Sequence, residues 1–358
     1  MTKAIRKSNI EVLRIVLMLM IILNHLIYYG LGVKNIETGS FQFDNSGYIK
    51  VIVDCFLVNA VNTFVFISGY FGITFKLRTV ISYVSQALFY SIILFLVFSY
   101  FGHHSLCLSN FFYSFIPISR PVWWFISIYL GLYFIAPYLN KGVETMDKDV
   151  LTITLGGLLF FNCFSGFFFK TFSERGYSIF NFMVIYLIAR YIKKYRIRLK
   201  VPLFHYFFLT LLIVIGVLTL VHFNKSSQIF KLFSYNNPLL IASAIMLFFV
   251  FYEIEIKYNK LINLIATQVL GVYMIHDYPS LRNVIANYIK GLENCFRDTP
   301  WLIVFSVVLT AFCILLVAAA VEGIRKFFFE KILDWLISVL KSNRSIVVFR
   351  KKLLASNQ

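Results

Sequence analysis

Charge is what this sequence has least of. Only 14% of its 358 residues are Asp, Glu, Lys or Arg, against roughly 25% in an average soluble domain. With 59% of the residues hydrophobic, too few polar side chains remain to clothe a soluble fold, and a polytopic membrane protein is expected. Acidic residues are the scarcer sign: 16 Asp and Glu stand against 34 Lys and Arg, a net charge of +18. That excess does not mark a nucleic-acid binder, because the basic residues sit in short clusters between apolar runs. Such clusters mark cytoplasmic loops. Paired cysteines are also missing. Cys55, Cys107, Cys163, Cys295 and Cys313 are scattered without CxxC or Cys/His spacing, so neither a metal site nor a disulfide framework is expected. Cys107 and Cys295, both in outer loops, leave room for one bridge. No loop is long enough to form a separate soluble domain, and no internal repeat is visible.

What the sequence does have is long apolar runs. Runs of about 17–22 residues, enough to cross a bilayer, recur near 9–30, 49–72, 80–101, 121–139, 150–169, 177–192, 202–223, 237–253, 262–278 and 301–321. The expected fold is therefore all-α, with about ten transmembrane helices over residues 1–321 and a basic, amphipathic tail over 322–358. The tail "IRKFFFEKILDWLISVLKSNR" alternates apolar and charged faces at helical spacing, as an interfacial helix beside anionic lipid or one packed on the bundle does. The first run is too long for a signal-peptide core and lacks a small-x-small cleavage site. Ser8 and Glu11 have the spacing of a capping box. With the N-terminus inside, cytoplasmic loops hold 23 of the 34 Lys and Arg, which places both termini in the cytoplasm.

Two ionisable residues stand inside the first run. Arg14 and His25 are eleven residues apart, about 1100° of helix and nearly three whole turns, so they share a face about 16 Å apart along the axis. A guanidinium at the centre of a membrane helix costs on the order of 3 kcal/mol on insertion scales, and such groups are functional by default. The alternatives are a snorkelling Arg14 and a hydrogen-bonded packing histidine. His276, near the outer end of the ninth run, reaches a depth comparable with His25, and Asp277 beside it can orient an imidazole or merely mark the headgroup boundary. Asp54, Asn59 and Asn62 on the second run can contact a substrate or join helices. Ser68 and Gly69 lack a nucleophile elbow and suit close packing. Trp123 and Trp124 suit the outer aromatic belt. His103, His104, His205 and His222 have no partner spacing and read as loop or interfacial residues.

Arg-x10-His resembles the signature of the acyltransferase-3 family of integral membrane proteins, which O-acylate sugars and other envelope molecules. Three further segments carry the likeness: "NTFVFISGYF" (62–71) with Ser68, Gly69 and Tyr70; "VWWFISIYLGLYFIAPYL" (122–139) with Trp124, Phe125, Tyr133 and Pro137; and "GVYMIHDYP" (271–279) with Tyr273 and His276. The family often has several arginines after the Ser-Gly element; here only Lys76 and Arg78 follow it. A fused esterase-like domain, present in some relatives, is absent.

The resemblance implies acetyl-CoA as the acyl donor, entering from the cytoplasm, with its phosphates met by Arg14, Lys76 and Arg78 and its arm running along the Arg14–His25 face. His25 would act as general base or carry the acetyl group, assisted by His276. Asp54, Asn62, Trp124, Tyr273 and Asp277 would line the acceptor side. The acceptor would be a hydroxyl of a surface carbohydrate or lipid-linked glycan, in a bacterial plasma membrane. A polysaccharide-precursor flippase, favoured by broken helices or repeat symmetry, and a glycan polymerase are the competing readings; neither feature is visible in the sequence.

Overall fold

A computed structural model describes residues 8–102, 107–120, 122–169 and 174–342. His103, His104 and the tail beyond 342 lie outside these residues, as do the basic Lys3, Arg6 and Lys7. Among the described residues the protein is all-helical, without strands. In chain order the α-helices are α1 (Ser8–His25), α2 (Asn45–Leu57), α3 (Ala60–Phe71), α4 (Leu77–Tyr100), α5 (Leu108–Tyr113), α6 (Trp124–Thr145), α7 (Lys148–Leu159), α8 (Gly166–Phe169), α9 (Ile179–Lys194), α10 (Pro202–His222), α11 (Ile229–Leu232), α12 (Pro238–Glu253), α13 (Lys260–Ala266), α14 (Val269–His276), α15 (Pro279–Cys295) and α16 (Pro300–Ser342). Helix coincides with each of the ten expected segments. By length and hydropathy, six spans qualify for crossing a membrane: Ser8–Gly30, Asn45–Phe71, Leu77–Tyr100, Lys148–Phe169, Pro202–His222 and Pro300–Trp335.

α1 runs through the middle of the bundle and touches α3, α12, α13, α14 and α16. It joins two hydrophobic clusters: Leu13 and Leu17 belong to one, with α3, α9 and α12, while Met18 and Ile22 belong to the other, with α4, α14 and α16. Alternating faces of one helix thus hold both halves of the protein, as a 3.6-residue period allows. α3 meets α9 at Gly69, where a Cβ would stand 2.6 Å from the Tyr186 carbonyl oxygen. The Ser-Gly pair therefore serves the close approach expected of small residues in membrane helices.

Four local features depart from expectation. Ser8 does not close a capping box: its hydroxyl accepts from the Asn259 amide at 2.9 Å and from Asn263 Nδ2 at 3.3 Å, while Glu11 turns to Arg14. The segment between the last two expected spans, outside every expected helix, forms α15, entered through Pro279 at its first turn in the position that suits a residue without an N–H. Two expected spans are interrupted, between α2 and α3 at Val58–Asn59 and between α13 and α14 at Thr267–Gln268. Trp123 is not in an aromatic belt but 1% exposed in the core, its ring against Tyr278.

α16 continues without interruption across residues 321 and 322, so the expected boundary falls inside a helix. Glu322, first residue of the expected tail, is fully buried. Its carboxylate accepts from Tyr90 Oη at 2.6 Å, Gln86 Nε2 at 3.0 Å and Arg325 Nε at 2.7 Å. Gly271 on α14 makes room for it, since a Cβ there would lie 2.5 Å from Glu322 Cγ. One carboxylate thus ties α4, α14 and α16 together. Breaking such a buried pair by removing one partner costs about 3–5 kcal/mol, because the other charge is left uncompensated. Glu322→Ala is expected to lower the melting temperature of the detergent-solubilised protein sharply, and Glu322→Gln less so; an unchanged melting curve would show that the hub does not hold these helices.

Candidate active site

A cavity of about 440 Å³ runs beside α1, and both Arg14 and His25 stand on its wall. The shared face expected from their spacing is thus the face of a cavity. Its lower wall includes Ser68, Ser82, Tyr83, Thr267 and Lys326; its upper wall includes Asn24, Trp124, Tyr235 and Tyr273. Both helix interruptions border it, through Val58 and Ala60 on one side and Thr267 and Val269 on the other. The interruption frees the Thr267 carbonyl, which Lys326 Nζ takes. Val58, Asn59, Thr267 and Gln268 keep right-handed helical dihedrals, so each interruption is a local break in the hydrogen-bond ladder beside the cavity.

At the upper end two imidazoles meet. His25 Nδ1 lies 3.2 Å from His276 Nε2, and His276 Nδ1 lies 2.7 Å from the Val272 carbonyl oxygen. A carbonyl only accepts, so His276 Nδ1 carries the proton and, in the neutral ring, Nε2 is a lone pair. His25 Nδ1 must then donate to it. The hydrogen-bond network assigns these tautomers, and it leaves His25 Nε2 with the free lone pair. Asp277 Oδ1, 3.5 Å from His25 Nδ1, supports the same assignment. Arg282 Nη1 donates to Asp277 Oδ1 at 3.0 Å, and its guanidinium lies over the Tyr29 ring at 4.4 Å. His276 and Arg282 also border a much smaller void of about 10 Å³ behind His25.

The chain beyond His25 makes one π turn, Leu26–Gly30, a form that recurs at functional sites. Gly30 is required there, because a Cβ would lie 2.7 Å from the Ile289 side chain. α15 thereby presses against the turn and brings Arg282 over Tyr29.

The other expected site residues divide. Trp124 and Tyr273 are on the cavity wall, Trp124 stacked on Tyr235 with ring centroids 5.6 Å apart. Asp54 is buried behind the wall, where Asn24 Nδ2 donates to it. Asn62 is also behind the wall, donating to the Tyr235 carbonyl at 2.8 Å. Lys76 is exposed off the wall, and its backbone N–H donates to Tyr133 Oη at 3.0 Å. Arg78 is off the wall too, engaged by Glu330 at 2.6 Å and Asp334 at 2.9 Å. Arg14 is paired with Glu11. Sequence reasoning missed Asn24, Lys326 and Glu330, all on the wall. Asn24 had a signal, standing next to His25, whereas Lys326 and Glu330 were assigned to a separate tail. Cys107 and Cys295 form no disulfide, nor do the other three cysteines.

In a background with the native cysteines replaced, Ser68→Cys on the cavity wall is expected to react with a small thiol reagent. Thr63→Cys, at a fully buried position off the wall, is expected to stay unmodified over the same time. Equal labelling of both, read by mass spectrometry, would rule out the cavity as an accessible space.

Neither the curated proteins nor the solved structures contain a match to the chain. A family described as an acyltransferase domain matches residues 7–319. That match runs from just before α1 to within a few residues of the Glu322 hub, and so includes every helix that lines the cavity except the second half of α16, which carries Lys326 and Glu330. Together with the six long apolar helices, it identifies the chain as a multi-pass membrane protein belonging to the acyltransferase family.

Proposed function

We propose that this acyltransferase moves an acetyl group from cytoplasmic acetyl-CoA to a hydroxyl of an extracytoplasmic or lipid-linked surface carbohydrate, in a bacterial plasma membrane. The observation that carries the reading is the one cavity joining Arg14 to His25. The rise from Arg14 to His25, about 16 Å along α1, suits the extended arm of a thioester donor: phosphates at the Arg14 end, thioester at the His25 end. The orientation follows from the Lys and Arg bias, with both termini inside and the tail beyond Ser342 cytoplasmic. In the reading with about ten crossings, α1 and α14 both run from inside to outside and carry both histidines toward the outer leaflet.

His25 Nε2, with its free lone pair, takes the proton of the acceptor hydroxyl. The acceptor oxygen attacks the thioester carbonyl carbon, the C–S bond breaks, and the departing thiolate recovers the proton from His25. His276 Nε2 and the Asp277 carboxylate both face His25 Nδ1–H. They hold the ring in the reactive tautomer and stabilise the transient imidazolium, the task of the orienting group in triads. Transfer through an acetyl-His25 intermediate uses the same nitrogen as nucleophile. Trp124, Tyr235 and Tyr273 offer aromatic faces for a sugar ring, while Asp54 and Asn62 position Asn24 and Tyr235 from behind. No metal is required by this chemistry.

A second reading, export of a glycan precursor, draws on the interrupted helices beside the cavity, a feature of transporter binding sites. It gives no reason for two imidazoles in hydrogen-bond contact.

Proton NMR of surface glycan from a deletion strain complemented with each variant tests the proposal. Wild type is expected to restore the acetyl signal, and His25→Ala to abolish it, corresponding to a rate loss of about 10²–10⁴. Arg14→Ala is expected to reduce it through a higher KM for acetyl-CoA. Loss of the glycan itself on deletion, with acetylation unaffected by His25→Ala, would favour export instead. His276→Phe, which removes the acceptor for His25 Nδ1–H, is expected to lower kcat about 10–100-fold with little change in the KM for acetyl-CoA. A change confined to KM would assign His276 to binding.

A further inference from the structure

Asn24 precedes His25 on α1, and both side chains stand on the cavity wall. Behind them lies the carboxylate of Asp54 on α2, a residue only 1% exposed. Asn24 Nδ2 donates to Asp54 Oδ1. A carboxylate only accepts, so the nitrogen of the Asn24 amide, not its oxygen, faces Asp54. Among the described residues this is the one hydrogen bond that the Asn24 side chain makes. The amide is planar, and its two polar atoms point away from each other. With Nδ2 tied behind the wall, Oδ1 is turned toward the cavity that Asn24 lines, with its lone pairs unused.

His25 Nε2 is a second uncommitted acceptor. Nδ1–H of that ring goes to His276 Nε2 at 3.2 Å, which leaves the Nε2 lone pair free. Asn24 and His25 are consecutive residues, separated by a rise of about 1.5 Å and a rotation of about 100°. One turn of α1 thus offers the cavity two hydrogen-bond acceptors side by side. A ligand that satisfies both needs two hydroxyl protons close together. A lone alcohol fills one acceptor and leaves the other desolvated and unpaired, which costs affinity. Adjacent hydroxyls on a pyranose ring fill both. The same wall carries Trp124 stacked on Tyr235, ring centroids 5.6 Å apart, a flat apolar surface for the C–H face of such a ring.

We propose, resting on the transferase reading above, that Asn24 Oδ1 is a specificity-determining contact for a second hydroxyl next to the one that is acetylated. The acceptor class is then a vicinal diol, as in a hexose ring, and not a lone alcohol. The reacting hydroxyl donates to His25 Nε2 and its neighbour donates to Asn24 Oδ1. During transfer the first hydroxyl loses its proton to His25 as the ester C–O bond forms and the thioester C–S bond breaks, and the thiolate then takes that proton. The second hydroxyl keeps its own. This two-point contact selects which hydroxyl of the ring reaches the imidazole. Asp54 touches no substrate and acts as a positioning residue that fixes the orientation of the Asn24 amide.

The test uses the full chain in nanodiscs, where both faces are open to reagents. Acetyl-CoA is supplied with either trans-1,2-cyclohexanediol or cyclohexanol, probes that differ by one hydroxyl, and ester formation is followed by mass spectrometry. Wild type is expected to favour the diol at least about tenfold in kcat/KM. Asn24→Leu is expected to bring that ratio close to one. Asp54→Asn, which can present a donor or an acceptor to Asn24, is expected to fall between. Asn24→Leu strands the Asp54 carboxylate; if its melting curve shows that it does not fold, Asn24→Leu/Asp54→Leu, which strands neither partner, replaces it. Equal use of the two probes by wild type, or an unchanged ratio in a folded variant, overturns the proposal. So does a change confined to the KM for acetyl-CoA, which would set an amide N–H of the donor against Oδ1. If wild type esterifies neither probe, glycan from the complemented deletion strain decides by proton NMR. Acetyl groups lost or scattered over other hydroxyls in Asn24→Leu support the proposal, and acetyl groups unchanged in position and amount overturn it. A wild type that acetylates neither probe nor glycan overturns the transferase reading itself, and with it the role given to Asn24.

Discussion

Within hydrocarbon a polar side chain has no water to fall back on, so each one in the bundle must find its partner inside the protein. That constraint shapes the fold more than any single apolar contact. Glu322 gathers Gln86, Tyr90 and Arg325 from two helices and in doing so fixes α16 against α4 and α14. Asn162 donates to Asn181 at 2.8 Å, and Asn236 donates to the Asn162 carbonyl at 3.2 Å, all three fully buried. Asn9 reaches the carbonyls of Phe251 and Tyr252, clasping the start of α1 to the end of α12. The cavity lies between these ties, where the helices are held apart by side chains that satisfy one another.

Arg14 illustrates the same economy. Its charge is met by Glu11 one turn earlier, which lowers the cost of carrying it into the span. The Arg14 side chain is still 29% exposed, so the pair can be held in the wall while the guanidinium keeps a face toward the cavity. At the other end, His25 is oriented from behind by His276 and Asp277, both carried on the last turn of α14 or just past it. α13 and α14, on either side of the break at Thr267–Gln268, both pack on α1.

The face shared by Arg14 and His25 was legible because helical phase within one segment follows from residue numbers alone. The contact between His25 and His276 was not, since 251 residues separate them and only the depth of each span could be compared. α15 was hidden for a different reason: Leu281, Ile285, Ile289 and Leu292 recur at helical spacing, but the polar residues between them keep the average hydropathy low. Lys326 and Glu330 were misplaced because a run of charges after residue 321 looks like the end of a span. The structure cancels those charges within the helix and carries it onward. Arg78 was legible as a cation but not as an occupied one, because its carboxylates come from a helix more than 250 residues away.

The π turn after His25 fixes a phase. Widening one turn to i→i+5 bonding inserts one residue relative to an α-helix, so the side chains on Leu26–Gly30, Tyr29 among them, fall out of α-helical phase, by about 100° at the end of the turn. Tyr29 thereby meets Arg282 instead of lying directly over the preceding turn. The turn Leu26–Gly30 is therefore a length standard, five residues long and not four. Losing a single residue from it would let the backbone heal into ordinary α-helix with every hydrogen bond made, yet leave the clamp behind the imidazole aimed at the wrong side of the helix.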